Sequence, residues 1–179
     1  MDAALQEIYD RIPAIPDCTG RCWTSCGPID MSDRERQRIR GAGYKITPAD
    51  EARARVDTYW CEALTSEKRC AVYEMRPLIC RLWGVMESLP CPYVCRPEGG
   101  FLADIEGYRL IAAAWRAGGG RPDLDTATDA QLEMAFAAST GHLRSEITQL
   151  RARGQAGEQK RTLHSVPPGF RRPASGGQR

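Results

Sequence analysis

A chain of 179 residues with a formal net charge of +2 is long enough to bury a core and too near neutral to be, as a whole, a polyanion binder. Plentiful charge and modest aromatic content fit a soluble protein, and no apolar run approaches the ~20 residues of a bilayer span. The opening MDAALQEIYDRIP is acidic and amphipathic, without the basic start and apolar stretch of a secretory signal, so a cytoplasmic location is expected and no membrane segment.

The first predicted element is a short helix over residues 2–11. Asp2 is its candidate cap, and Leu5, Ile8 and Ile12 are spaced for one face. Pro13 and Pro16 break it and lead to the first cysteines. A helix follows in MSDRERQRIRGAG, where Ser32 and Glu35 form a capping-box pattern and Gly41 or Gly43 supplies the stop. Thr47 and Pro48 mark another helix start, running through ADEARARVDTYW. YWCEAL and RCAVYE flank the polar TSEK and predict a small β-hairpin. Pro77 opens a short helix that carries Cys80 and ends at Gly84. ESLPCPYVCRPEGG reads as a loop that must be pinned by something other than its own backbone. DIEGYRLIAAAWRAGGG reads as a helix with a glycine stop. From Thr128, with Gln131 completing a capping pattern, a long helix is predicted to about Arg153, with Leu132, Phe136, Leu143, Ile147 and Leu150 on its apolar face. Residues 154–179 are rich in Gly, Pro, Ser, Gln and Arg and are expected to be a disordered tail.

Eight cysteines, Cys18, Cys22, Cys26, Cys61, Cys70, Cys80, Cys91 and Cys95, fall in one window. In an oxidising compartment an even count would suggest disulfides. In a reducing cytoplasm, clustered thiols point to metal ligation. Cys18, Cys22 and Cys26 stand four apart and can supply three corners of a tetrahedral site, so a fourth ligand must come from the later cysteines. On an α-helix the three would share one face; in a loop, Gly20 and Gly27 would permit the turns. Eight thiols suffice for two four-thiolate sites, or for one cluster with spares. Arg21, Arg69, Arg81 and Arg96 adjoin cysteines, and Arg76 lies one helical turn before Cys80, where cationic side chains would offset thiolate charge.

Other readings are weaker. The two-residue gaps of zinc knuckles are absent from these cysteines. A cysteine nucleophile wants a nearby base, and no histidine precedes His142. His142 is read as an ordinary helix residue and His164 as a solvated tail residue. Trp23, Trp60 and Trp83 are expected to cover the cysteine region. Lys160, Arg161, Arg171, Arg172 and Arg179 against Glu158 make the tail basic, so an acidic or nucleic-acid partner is conceivable there, without being favoured over a solubilising role.

The segment from Cys61 through CAVYEMRPLICRLWG resembles the YkgJ-type cysteine-cluster proteins, a zinc- or iron-chelating family. Cys61, Cys70, Tyr73, Glu74, Arg76, Pro77, Cys80 and Arg81 match its second motif closely. The first motif is looser: the family has two-residue gaps ending in a Cys-Cys pair, whereas here the gaps are three residues and Ser25 precedes Cys26. The resemblance covers roughly residues 18–97 and implies metal chelation. A related cysteine cluster is associated with flagellin lysine methylation, which extends the implied roles to an accessory or catalytic component of a protein-modification or redox (Fe–S) system.

These readings give a mainly α fold with a small β-hairpin. A metal-binding domain is expected over 1–100, a helical extension packed on it over 101–153, and the tail over 154–179. The eight cysteines are the expected metal ligands, for Zn(II) or an iron–sulfur cluster, with Arg76 and Arg81 as supporting cofactor contacts. No catalytic residue is assigned. The alternatives are the redox or protein-modification component and a transcription-associated metal binder. A protein partner is left open.

Overall fold

The computed structural model describes residues 3–18, 20–54 and 60–136, together with Thr148. Five helices are set out in chain order: α1 (Ala3–Tyr9), α2 (Asp33–Gly41), α3 (Ala49–Ala54), α4 (Leu78–Leu82) and α5 (Asp104–Gly118). A sixth, α6, covers 129–136. Short 3-10 turns lie at Arg21–Ser25, Tyr73–Met75 and Pro122–Leu124.

The local signals act as expected in several places. Ser32 accepts from the Glu35 N–H while Glu35 reaches back to the Ser32 N–H, so α2 starts on a complete capping box. Pro77 caps α4 with its fixed φ of −65°. Both N–H and hydroxyl of Thr128 donate to Gln131 ahead of α6. α3 starts at Ala49, directly after Thr47 and Pro48. The Thr47 hydroxyl donates to the Glu62 carboxylate at 2.7 Å and ties the α3 entry to the cysteine segment.

The expected hairpin is corrected. Among the described residues there is no strand, only isolated bridges, and the segment keeps a single antiparallel bridge, Leu64 to Cys70. Ala71 donates to Ala63 and Thr65 to Arg69, both at 2.8 Å. Pairing goes no further because the Cys61 N–H goes to Cys26 and the other arm coils into the 73–75 turn. The loop after α4 is pinned at its base by backbone, contrary to its composition. Gly84 donates to Leu89 and Leu102 to Val85, and further out Glu98 donates to Ala14.

Two apolar clusters form the core. The larger joins Leu5, Ile8 and Tyr9 of α1 to Leu78 and Leu82 of α4, Met86 and Leu89 of the loop, and Tyr108, Leu110 and Ile111 of α5. Ile12 packs against its edge, completing the predicted α1 face. Gly107 sits mid-helix in α5, where glycine costs roughly 1 kcal/mol against alanine. An added Cβ there would stand 2.5 Å from Met86 Sδ, so the glycine lets loop and helix close together. The smaller cluster holds Met31, Ile39, Ile46, Ala63 and Val72, with Cys61 and Cys70 packed against it.

No helix among the described residues is long and apolar enough to cross a membrane. The expected continuations of α3 over 55–59 and of α6 beyond 136, Thr148 apart, lie outside the described residues. So do Asp2, His142, His164 and the basic tail.

Candidate metal centre

Turns and a short helix place the cysteines. Gly20, at φ +65°, reverses the chain into the 3-10 turn Arg21–Ser25, and the Cys26 N–H closes that turn on Trp23 O at 3.0 Å. Cys26 O then accepts from the Cys61 N–H at 3.0 Å, joining segments 35 residues apart in sequence. Cys61 O accepts from Leu64, and Leu64 bridges Cys70, so three thiol-bearing residues belong to one hydrogen-bonded patch. Cys80 lies in α4.

The remaining thiols gather elsewhere. Cys95 Sγ donates to Asp17 O, next to Cys18, at 3.4 Å. Cys91 opens a turn in which the Val94 N–H donates to Cys91 O and the Tyr93 N–H meets Cys91 Sγ at 3.4 Å, and Cys95 follows it directly.

Two adjoining cavities lie against the larger apolar cluster, and the second also reaches the smaller one. One is bordered by Cys18, Cys22, Cys80 and Cys91 together with Tyr9, Tyr73, Arg76 and Arg81. The other is bordered by Cys18, Cys22, Cys26, Cys61, Cys70 and Cys80 with Trp23, Lys68, Arg69, Arg76 and Trp83.

All eight cysteines are free thiols. As the side chains stand, no three His, Cys, Asp or Glu groups among the described residues are drawn close enough to hold a metal ion. The donor set is that of a soft-metal site, since thiolate sulfur suits zinc and iron–sulfur chemistry. A second observation agrees. Ser25 Oγ and Trp83 Nε1 are buried without a hydrogen-bond partner, and both residues border the thiol cavity. Buried donors are rarely left so. Metal-bound sulfur would give them an acceptor.

Burial and mutual repulsion favour the protonated form of five of the thiols, Cys22, Cys26, Cys61, Cys80 and Cys91. Burial first, then the neighbouring Cys61, Cys22 and Cys70, push Cys26 up to about 12. Burial, with Cys61, Cys26 and Cys70, raises Cys80 well above the usual thiol range. Burial raises Cys22, with Cys18 and Cys91 adding. Burial is also the main cause of the rise at Cys61 and at Cys91.

The two candidate arginines part company. Arg76 borders both cavities and lowers Cys22, Cys26 and Cys80 against those effects. Its guanidinium stacks 3.6 Å from the Tyr73 ring centroid, and its Nε donates to Tyr73 O. Arg81 instead donates to the carbonyls of Arg76 and Glu74 and lies over the Tyr9 ring. It thereby holds the segment that presents Arg76.

Trp23 and Trp60 pair at 6.0 Å, and Trp23 and Trp83 border the thiols, as a cover should. Lys68 was not singled out by the sequence. At φ +61° on the tip of the turn, its ammonium sits 4.4 Å over Trp23. Only the tertiary fold brings it there. Ser25 had a signal, as the residue standing beside Cys26 where the resembling family carries a paired cysteine.

No curated protein and no solved structure matches the chain. Residues 17–96 match the family model CxxCxxCC, whose description reads "Putative zinc- or iron-chelating domain". This span takes in all eight cysteines, both arginines and both cavity donors, and over it the chain is similar to the YkgJ-type cysteine-cluster family.

Proposed function

We propose that the chain binds zinc, or iron as an iron–sulfur cluster, through the thiolates of Cys18, Cys22, Cys26, Cys61, Cys70, Cys80, Cys91 and Cys95. The observation that carries this reading is the gathering of seven free thiols around two adjoining cavities, with Cys95 tied back beside Cys18, near the Arg76 guanidinium and two unpartnered donors. Neutral thiols tolerate that crowding, but thiolates require a cation to balance them. Metal supplies most of that charge, and Arg76 offsets part of the remainder. The test is reconstitution of the metal-free full chain under anaerobic conditions, with Zn(II) or with iron and sulfide. Stoichiometric uptake per folded chain, lost when Cys80→Ser is introduced, supports the reading. No uptake of either metal overturns it.

A second reading is favoured by the cavity that Trp23, Lys68, Arg69 and Tyr73 border beside the thiols. It gives an anionic or aromatic group access to the centre, as an accessory or catalytic component of a redox or protein-modification system requires. A change in the visible spectrum of the loaded protein on adding a small exogenous metal ligand would support an open coordination position. An unchanged spectrum would leave chelation alone.

A further inference from the structure

We propose that the eight thiols make two separate four-thiolate centres, one from Cys26, Cys61, Cys70 and Cys80 and the other from Cys18, Cys22, Cys91 and Cys95, with Arg76 between them. The inference rests on the metal-binding reading above and adds its stoichiometry and membership.

Main-chain connectivity makes the first division. Cys26, Cys61 and Cys70 are joined by the Cys61-to-Cys26 hydrogen bond and the Leu64 bridge. Cys91 opens a turn that Cys95 directly follows, and Cys95 Sγ ties it back to the residue before Cys18. The cavities divide the thiols the same way. Cys26, Cys61 and Cys70 border only one cavity, and Cys91 borders only the other. Cys80 borders both, as do Cys18 and Cys22, so these three need a further criterion.

Local helix geometry supplies it for the trio. Cys22 lies inside the 3-10 turn Arg21–Ser25, whereas Cys26 is its extended C-cap, at φ −75° and ψ 96°, so the chain has left the turn before Cys26 is reached. Cys18, Cys22, Cys91 and Cys95 fill the one set, so Cys80, which borders the cavity of Cys26, Cys61 and Cys70, completes the other. Cys18, Cys22 and Cys80 border both cavities, so the two centres lie side by side. Two neighbouring anionic centres repel, and Arg76, bordering both cavities, is positioned to screen them.

The test uses the full chain, stripped of metal and titrated anaerobically with Co(II) alone, reading the thiolate-to-cobalt absorption and bound metal per folded chain. Two equivalents are expected. The within-set double variant Cys91→Ser/Cys95→Ser should keep one, and the cross-set variant Cys61→Ser/Cys95→Ser should keep none. One equivalent on the unmutated chain, or loss of both from the folded within-set variant, overturns the partition while metal binding stands. No uptake of Co(II), zinc or iron by the unmutated chain overturns both. Should the variants not fold, the unmutated loaded chain is alkylated during slow removal of metal by chelator. Release in two groups of four, with Cys26 following Cys61 and Cys22 following Cys91, supports the partition. Release of Cys26 together with Cys18 and Cys22 overturns it.

Discussion

The main-chain N–H of Leu78, the first residue of α4, donates to Glu35 Oε1 at 2.7 Å, across 43 positions of sequence. The same oxygen accepts from Tyr9 Oη at 2.8 Å, and the other accepts from the Ser32 N–H and hydroxyl. One buried carboxylate therefore fixes α1, α2 and α4 together, and α4 carries Cys80. Glu35→Ala leaves these donors unpaired, at roughly 1–3 kcal/mol for each one buried. The expected loss is about 4 kcal/mol or more, with Glu35→Gln milder because it keeps one acceptor. Denaturant unfolding of the metal-loaded chain checks this. A loss below about 1 kcal/mol for the alanine variant would contradict the network's role.

The capping box, α5 and the helix at Pro77 were legible because their signals are local: a side chain and a backbone group a few residues apart. The second reach of Glu35, to Tyr9 and Leu78, leaves no local mark. The hairpin failed for the same reason. TSEK does make a turn, but whether the ladder grows depends on Cys61 finding Cys26, a long-range choice. The cysteine trio was visible as a donor set. How it divides depends on a 3-10 turn that spacing alone does not distinguish from an α-turn.

Gly84 has φ +86°, and a Cβ there would lie 2.9 Å from Ile15 Cδ1 and 3.5 Å from Cys91 Cβ. Gly43 has the same φ with nothing within 4 Å. Gly43→Ala should therefore cost only the left-handed backbone penalty, about 1–2 kcal/mol. Gly84→Ala should cost more and should also speed alkylation of Cys91 in the metal-free chain. Equal costs, with Cys91 unaffected, would show that the loop does not depend on that close approach.

The raised thiols at Cys22, Cys26, Cys61, Cys80 and Cys91 give a signed pH dependence. In the metal-free chain their folded values lie above the unfolded value of ~8.5. Their contribution to stability is fully present below that pH and is lost as pH rises through the folded values, which reach about 12 at Cys26. The unfolding midpoint of reduced, metal-free protein should fall as the solution is made more alkaline than ~8.5. Metal affinity should move the other way and weaken as pH falls, because each ligating thiol must lose its proton. An apo midpoint that rises with alkalinity would contradict the burial of these groups.

Arg76 and Arg81 should separate experimentally. Arg76→Ala should shorten metal retention against a chelator about tenfold, as loss of an outer-shell partner does, with stoichiometry intact. Arg81→Ala should chiefly lower stability, because that side chain holds the carbonyls of Glu74 and Arg76 and covers Tyr9. Metal content and unfolding, measured on both variants, check the distinction. Identical retention in Arg76→Ala and the unmutated chain would remove Arg76 from the centre.

The central claim is that these thiols hold metal. It is tested most directly by elemental analysis of anaerobically purified full chain, taken together with its visible spectrum and a count of reactive thiols. The account predicts stoichiometric zinc in a colourless protein, or iron with sulfide-to-iron absorption, and in either case cysteines that react only after the metal is removed. Metal-free protein that displays all eight cysteines of the sequence as freely reactive thiols, and takes up neither zinc nor iron when these are supplied, would contradict it.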